Sequence, residues 1–471
     1  MTDSDLAYMD IAELGMRFAR RELSPVEVTR AMLARIETVD RRLGSYVTMM
    51  ADSALREARA ADTAYARGGV RGPLLGVPLA VKDLCDASGV PTIAGMPRIR
   101  TNAVATRDAT VVARLRAAGA VILGKLQLTE GAVAIHHPDV RVPVNPHHAE
   151  RWSGASSSGT GAAVAAGLAY GGLGSDTGGS IRFPSFANGV TGLKPTWGRV
   201  SRAGVFPLSA SLDHVGPMAR SSACCAAVLG AIAGADRDDP TSLADPVPDY
   251  FNALGGSIAD LRIGYDADYA EAGVHATLVA AQRAALDVFN ALGARIVPCR
   301  MPDTTAVIDA WFALATADAA AAHFDTYPAR AADFGPGLAG LLDSGRAASA
   351  VDYARAHECR LAFRGALGRV FDQVDLVLAP AMMRTNFTLA EFRNFGSQAS
   401  DWPELVRFTA PFDVSGTPTL SLPAGFEADG APFGFQLLGP FLGERALLRA
   451  GHAWQAVTDW HRRRPAQVQE G

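Results

Sequence analysis

Between Pro146 and Thr196 the chain is denser in glycine and serine than anywhere else, yet this stretch does not read as a linker. The run GASSSGTGAAVAAG from Gly154 leads into an Ala-rich helical pattern, and GSDTGGSIR from Gly174 follows an apolar segment. Two glycines immediately before Ser180 let the backbone turn sharply and leave several N–H groups pointing into one concavity. An acyl-transfer enzyme needs such a nest for the negative oxygen of its tetrahedral intermediate, where one lost donor costs ~10² to 10³ in rate. Without chemistry, the same residues are a glycine turn that closes a strand, and the hydroxyls at 156–158 are helix caps. Each cluster taken alone fits both readings.

Lysine separates them. Only three of the 44 basic residues are lysine, Lys82, Lys125 and Lys194, and the rest are arginine. Arginine stays protonated at any useful pH, whereas a desolvated lysine can become a neutral base. A serine hydroxyl is a poor nucleophile until a base takes its proton. No Gly-x-Ser-x-Gly elbow occurs, and none of the ten histidines has a sequence context that points to Ser180. Lys82, flanked by Leu79, Ala80, Val81 and Leu84, sits in surroundings that would lower its pKa from ~10.4 toward 7 or 8.

The rest of the chain predicts an α/β protein. Ser24, Pro25 and Glu27 spell a capping box, and Val28, Met32 and Ile36 form an apolar stripe that packs on the body or on a second subunit. From Pro73 to Gly124 apolar runs alternate with a helix over about Ala109 to Ala118 and a strand AVILG. LRIGY from Leu261, RIVP from Arg295, DLVLAP from Asp375, and TPTLSLPAGF with FGFQLLG near the end read as further strands. Ala235 to Asp249, rich in Asp and Pro, is the best loop or boundary candidate. The expectation is one large domain over residues 1–471, with an N-terminal helical segment at 1–65 and a helical insertion at about 265–375.

A net charge of −4 offers no basic field for nucleic acid or anionic lipid, so a small neutral partner is expected. The acidic N-terminus lacks a signal-peptide pattern and no run reaches ~18 consecutive apolar residues, which points to the cytoplasm and away from a membrane. Five cysteines without CxxC spacing read as reduced thiols.

Together, GVPLAVKDL, VILGKLQLTEGA, the two Gly- and Ser-rich runs and FTAPFDVSGTPTLSLPAGF resemble the amidase signature family across most of the chain. The resemblance implies a single α/β/α domain with a central mixed β-sheet covered by helices. It places the family's basic lysine on Lys82, its bridging serine, preceded by a cis peptide, on Ser156, and its nucleophile on Ser180. Thr177, Gly178 and Gly179 take the oxyanion-hole positions through their N–H groups. Ser157, Asp176 and Arg182 support the loop, the last two as a structural ion pair, and Lys125 and Lys194 are scaffold residues. Gly131, Ala132, Ile135 and His136, in a segment that departs from the family's wording, border the substrate pocket. Ala155, Ser158, Thr160 and Asp413 also depart from the family pattern, the last replacing an asparagine.

The implied activity is hydrolysis of a carboxamide-type C–N bond in a small neutral amide or anilide, with carbamates and esters as relatives. Neither metal nor organic cofactor is expected, and a homodimer is compatible. Two rivals remain: an amidase-like subunit of a tRNA-dependent amidotransferase, and a silent binding or scaffold protein. GAVILGKL from Gly119 imitates a phosphate loop, but AVIL is a strand and Leu126 brings no hydroxyl for a metal. His136, His137, His147 and His148 are adjacent pairs with no carboxylate to complete a metal site.

Overall fold

The computed structural model describes residues 3–68, 72–395, 398 and 401–468. Among these residues eleven strands form one mixed sheet: β1 Tyr46–Met49, β2 Pro78–Lys82, β3 Val121–Leu126, β4 Gly171–Asp176, β5 Thr191–Lys194, β6 His214–Ala219, β7 Arg262–Tyr265, β8 Arg295–Pro298, β9 Leu376–Ala379, β10 Thr419–Phe426 and β11 Pro432–Leu438. Their order is β1-β3-β2-β4-β6-β5-β10-β11-β9-β7-β8. The pairs β2/β3, β2/β4, β7/β8 and β7/β9 are parallel, and the others antiparallel.

The strands read from apolar runs at β2, β3 and β7–β11 are present. Those without such a run are not legible from pattern: β1 is a four-residue edge strand, and β6, HVGPMA, carries a glycine and a proline. Both residues weaken strand propensity, and burial on the sheet overrides it.

The helix Pro25–Leu43 begins with both bonds of the capping box, Ser24 Oγ accepting from the Glu27 N–H and Glu27 accepting from the Ser24 N–H. Its buried Val28, Met32 and Ile36 face the body, where the helix packs on Ala51–Ala66, β2 and β3. Arg35 then reaches the carbonyls of Ala166 and Gly167, joining this helix to the end of Ser158–Ala165.

The region from 265 to 375 holds the helices Ala276–Ala291, Thr305–Ala322, Pro336–Ala347 and Ala350–Phe371, but β8 lies among them and joins the main sheet. Thr305–Ala322, 18 residues long with mean hydropathy 1.2, is long and apolar enough to cross a membrane by length and composition. Here it packs on Pro336–Ala347, Ala350–Phe371 and Ala410–Ser415, and its Trp311, Phe312 and Ala315 face a cavity.

Candidate functional site

Strands β2 and β4 run parallel, with Ala80 opposite Gly172 and Val81 opposite Leu173. Their carboxyl ends therefore reach one edge of the sheet, the usual place for a site in an open α/β sheet. Lys82 ends β2, fully buried, with its Nζ 2.6 Å from Ser156 Oγ and 2.9 Å from both Ser157 Oγ and Ser175 Oγ. Burial pushes its pKa down to about 7, against the opposing pull of Cys85, Asp176 and Asp213. A neutral amine has two N–H donors and one lone pair, so one of the three hydroxyls can donate to it.

The other two lysines have different settings. Lys125 pairs with Asp83 at 2.8 Å and bonds the Pro91 carbonyl and Thr92 Oγ1. Lys194, brought to about 8 by burial, bonds the Thr417 and Pro195 carbonyls and His214 Nε2. Both hold backbone together.

Every residue from Trp152 to Arg182 is buried except Ser180, which is half-buried and faces the cavity. The Ala155–Ser156 peptide is cis. One residue on, the Ser157 N–H donates to the Ser180 carbonyl at 3.3 Å, bringing the two serine segments together. Gly174 permits this approach, since a Cβ there would come within 3.0 Å of Ser157 Oγ.

The loop after β4 is pinned carbonyl by carbonyl. Lys194 donates to His214 Nε2, so the ring proton sits on Nδ1, 3.2 Å from the Asp176 carbonyl. The Thr177 carbonyl accepts from Trp311 Nε1 at 2.7 Å and the Gly178 carbonyl from Thr409 Oγ1 at 2.6 Å. The Gly179 carbonyl accepts from the Phe183 N–H at 2.7 Å. In a trans peptide the N–H points opposite the carbonyl. Each outward-held carbonyl thus aims an N–H the other way. Among the described residues, the N–H groups of Thr177, Gly178 and Ser180 donate to no protein acceptor, and all three residues line the cavity.

Gly179 corrects the sequence reading. Its N–H donates to Asp176 Oδ1 at 2.6 Å and is not free for a ligand. The third free donor belongs to Ser180 itself. Asp176 also accepts from the Ile181 N–H and, through both oxygens, from Arg182. Burial would raise its pKa, but the Arg182 guanidinium holds it below the usual carboxylate range. Asp413, the departure from asparagine, accepts from Arg182 at 2.5 Å and lies 3.5 Å from His214 Nδ1. Arg182 therefore bridges two carboxylates, and burial raises the Asp413 pKa well above normal.

The cavity holds about 500 Å³. Trp311, Phe312, Leu341, Phe395, Trp402 and Leu405 supply much of its wall, and no described lining residue is charged. Of the four residues assigned to its border, Ala132 and Ile135 line it and Gly131 and His136 do not. Gly131 lies against Leu338, while His136 bonds Ser158 Oγ at 3.1 Å and is brought to about 4 by burial. Sequence reasoning missed Ser175 as the third hydroxyl on Lys82, and Trp311 and Thr409 as loop clamps. Ser175 stands inside the quoted motif and could have been found there. Trp311 and Thr409 had no local signal.

The histidine pairs do not converge. His137 Nδ1 accepts from the Asp139 N–H, His147 packs on the Phe426 ring, and His148 accepts from the Glu150 N–H. Among the described residues no group of three or more His, Cys, Asp or Glu side chains could hold a metal. Cys85, near Lys82, is pushed up to about 12 by burial, the setting of an inert thiol.

Residues 27–448 match the protein family described as Amidase. "Putative amidase AmiD" of Mycobacterium tuberculosis (strain ATCC 25618 / H37Rv) is 45% identical over 476 residues, covering 99% of this chain and 100% of that protein. A glutamyl-tRNA(Gln) amidotransferase subunit of Roseiflexus castenholzii is 38% identical over 496 residues, covering 99% of each. Among solved structures, the native peptide amidase of Stenotrophomonas maltophilia superposes with a TM-score of 0.81 at 30% identity, covering 97% of this chain and 98% of that one.

Proposed function

Since this chain belongs to the amidase family, we propose that it hydrolyses amides of neutral, largely apolar carboxylic acids through a Ser180 acyl-enzyme, with Ser156 and Lys82 as a proton relay. The observation that carries the relay is Lys82: buried, at about 7, 2.6 Å from Ser156 Oγ. In the first half-reaction neutral Lys82 takes the Ser156 proton, Ser156 takes that of Ser180, and Ser180 Oγ bonds the carbonyl carbon. The carbonyl oxygen becomes an oxyanion within reach of the Thr177, Gly178 and Ser180 N–H groups. As the C–N bond breaks, the proton returns through the relay to the leaving nitrogen. Water then repeats the sequence on the ester and releases the acid.

The wall of the cavity supports the substrate class. Aromatic and aliphatic side chains without a charge suit an aryl or branched acyl group. Glutamine brings an ammonium and a carboxylate, each of which loses hydration on entry and finds no charged partner among the described lining residues. This weighs against the glutaminase reading that similarity to the amidotransferase protein favours. Carbamates and esters of the same acyl shape are accessible to the same chemistry. The proposal includes a single domain, a cytoplasmic location, no resident metal or cofactor, and no obligatory partner protein.

Purified protein should turn over arylacyl amides faster than glutamine at equal concentration, and Ser180→Ala should abolish acyl-enzyme accumulation seen by intact-mass spectrometry. Preference for glutamine, or an acyl adduct surviving in Ser180→Ala, would contradict the reading.

A further inference from the structure

The peptide between Thr177 and Gly178 is held differently from its neighbours. The next peptide is fixed at both ends, its carbonyl by Thr409 and its N–H by Asp176. Among the described residues the Gly178 N–H has no acceptor and the Thr177 carbonyl accepts only from the Trp311 indole, at 2.7 Å. Glycine at 178 puts little steric barrier in the way of rotating this peptide. The ring also lies against Gly178, where an added Cβ would come within 2.4 Å of Trp311 Cζ2. Trp311 comes from Thr305–Ala322, more than a hundred residues from the loop it holds, and its ring is part of the substrate cavity wall.

We propose that Trp311 is a positioning residue for the oxyanion hole: its indole N–H fixes the Thr177–Gly178 peptide so that the Gly178 N–H faces the forming oxyanion. The inference rests on the Ser180 acyl-enzyme reading and deepens it. It also links recognition to rate. An acyl group packed against the ring keeps the indole seated on the Thr177 carbonyl, so a substrate that fills this wall stabilises the donor it uses.

The test removes the N–H and keeps the packing. Trp311→Phe deletes the donor along with part of the ring, and 3-benzothienylalanine at position 311 replaces the N–H with sulfur in a ring of nearly the same shape. Each protein is measured for kcat and KM on an arylacyl amide. Each is also measured for affinity toward the matching trifluoromethyl ketone, which forms a tetrahedral oxyanion with serine, and toward the matching alcohol, which does not. The expected result in both variants is a kcat lower by ~10²-fold, the typical loss for one oxyanion donor, with KM changed less than about threefold. Ketone affinity should fall in parallel and alcohol affinity should hold. Unchanged kcat in the benzothienyl protein, or equal losses for ketone and alcohol, overturns the proposal. Fluorophosphonate labelling of the wild-type protein separates the two failures. If Ser180 is not the labelled residue, the nucleophile reading falls and takes this inference with it; if Ser180 is labelled and the variants behave as wild type, only the role of Trp311 falls.

Discussion

The segment from Gly154 to Arg182 and the helices between Thr305 and Ser415 border the same cavity, one with hydroxyls and backbone N–H groups and the other with rings and aliphatic side chains. The first is short, built of small residues, and buried throughout except at Ser180. Its spacing is tight, because glycine and serine let strand, turn and helix approach until a hydroxyl sits 2.6 to 2.9 Å from Lys82. The second is long and Ala-rich, and it reaches the site through single side chains. On the proposed reading, chemistry depends on local geometry that tolerates little change, while substrate choice depends on surfaces that can vary one residue at a time.

If that division holds, perturbing the first region should act on kcat and perturbing the second on KM, except at Trp311 and Thr409, whose hydrogen bonds hold the first region's loop. The largest effect is expected at Lys82. Lys82→Ala and Lys82→Arg should both lose ~10⁴-fold in kcat, since a permanent cation cannot accept a proton. Steady-state assays decide it, and an Arg variant with a tenth of the wild-type rate would break the relay. A smaller effect is expected at Gly340, in Pro336–Ala347, which lines the cavity with open space where a Cβ would project. Gly340→Leu should raise KM for a bulky arylacyl amide about tenfold, ~1.4 kcal/mol of lost binding, and leave kcat on a small aliphatic amide unchanged. A uniform fall in kcat on both substrates would mean the second region shapes the chemistry beyond its two clamps on the loop, Trp311 and Thr409. The smallest effect is Gly340→Ala, which removes a helix-interior glycine without a clash. It should stabilise the fold by ~0.5–1 kcal/mol, read as a slightly higher thermal midpoint with little change in KM.

The same contrast explains what was legible in sequence. Lys82, Ser156 and Ser180 stood out because small residues at fixed spacing and a lysine in an arginine-rich chain are local signals. The ion pair of Asp176 with Arg182 followed from the same motif. Gly179 differs from the role its resemblance to the family implies, because a matching position does not say which way its N–H points, and here the Asp176 carboxylate captures it. Asp413 gained its meaning only when Arg182 and His214 were seen beside it. Trp311 and Thr409 lie more than a hundred residues from the loop they clamp, and nothing in an Ala-rich helix or a short FTAPFD run marks a hydrogen bond to a distant carbonyl. The strands with apolar runs are readable, whereas β6 forms because the sheet buries it, and β1 is a short, partly exposed edge strand held by its pairing with β3.

The central claim is that Lys82 works as an uncharged amine near neutral pH. A lysine lowered from 10.5 to about 7 by burial is protonated below that value and neutral above it, so reactivity that needs the base must rise with pH. The most direct measurement is the rate at which a neutral fluorophosphonate labels Ser180 across pH 5 to 10, in wild type and in Lys82→Ala. The wild-type rate should climb tenfold per unit below about 7, level off above it, and lose this step when Lys82 is removed. A wild-type profile that is flat, or that turns only near the ordinary lysine value, would contradict it.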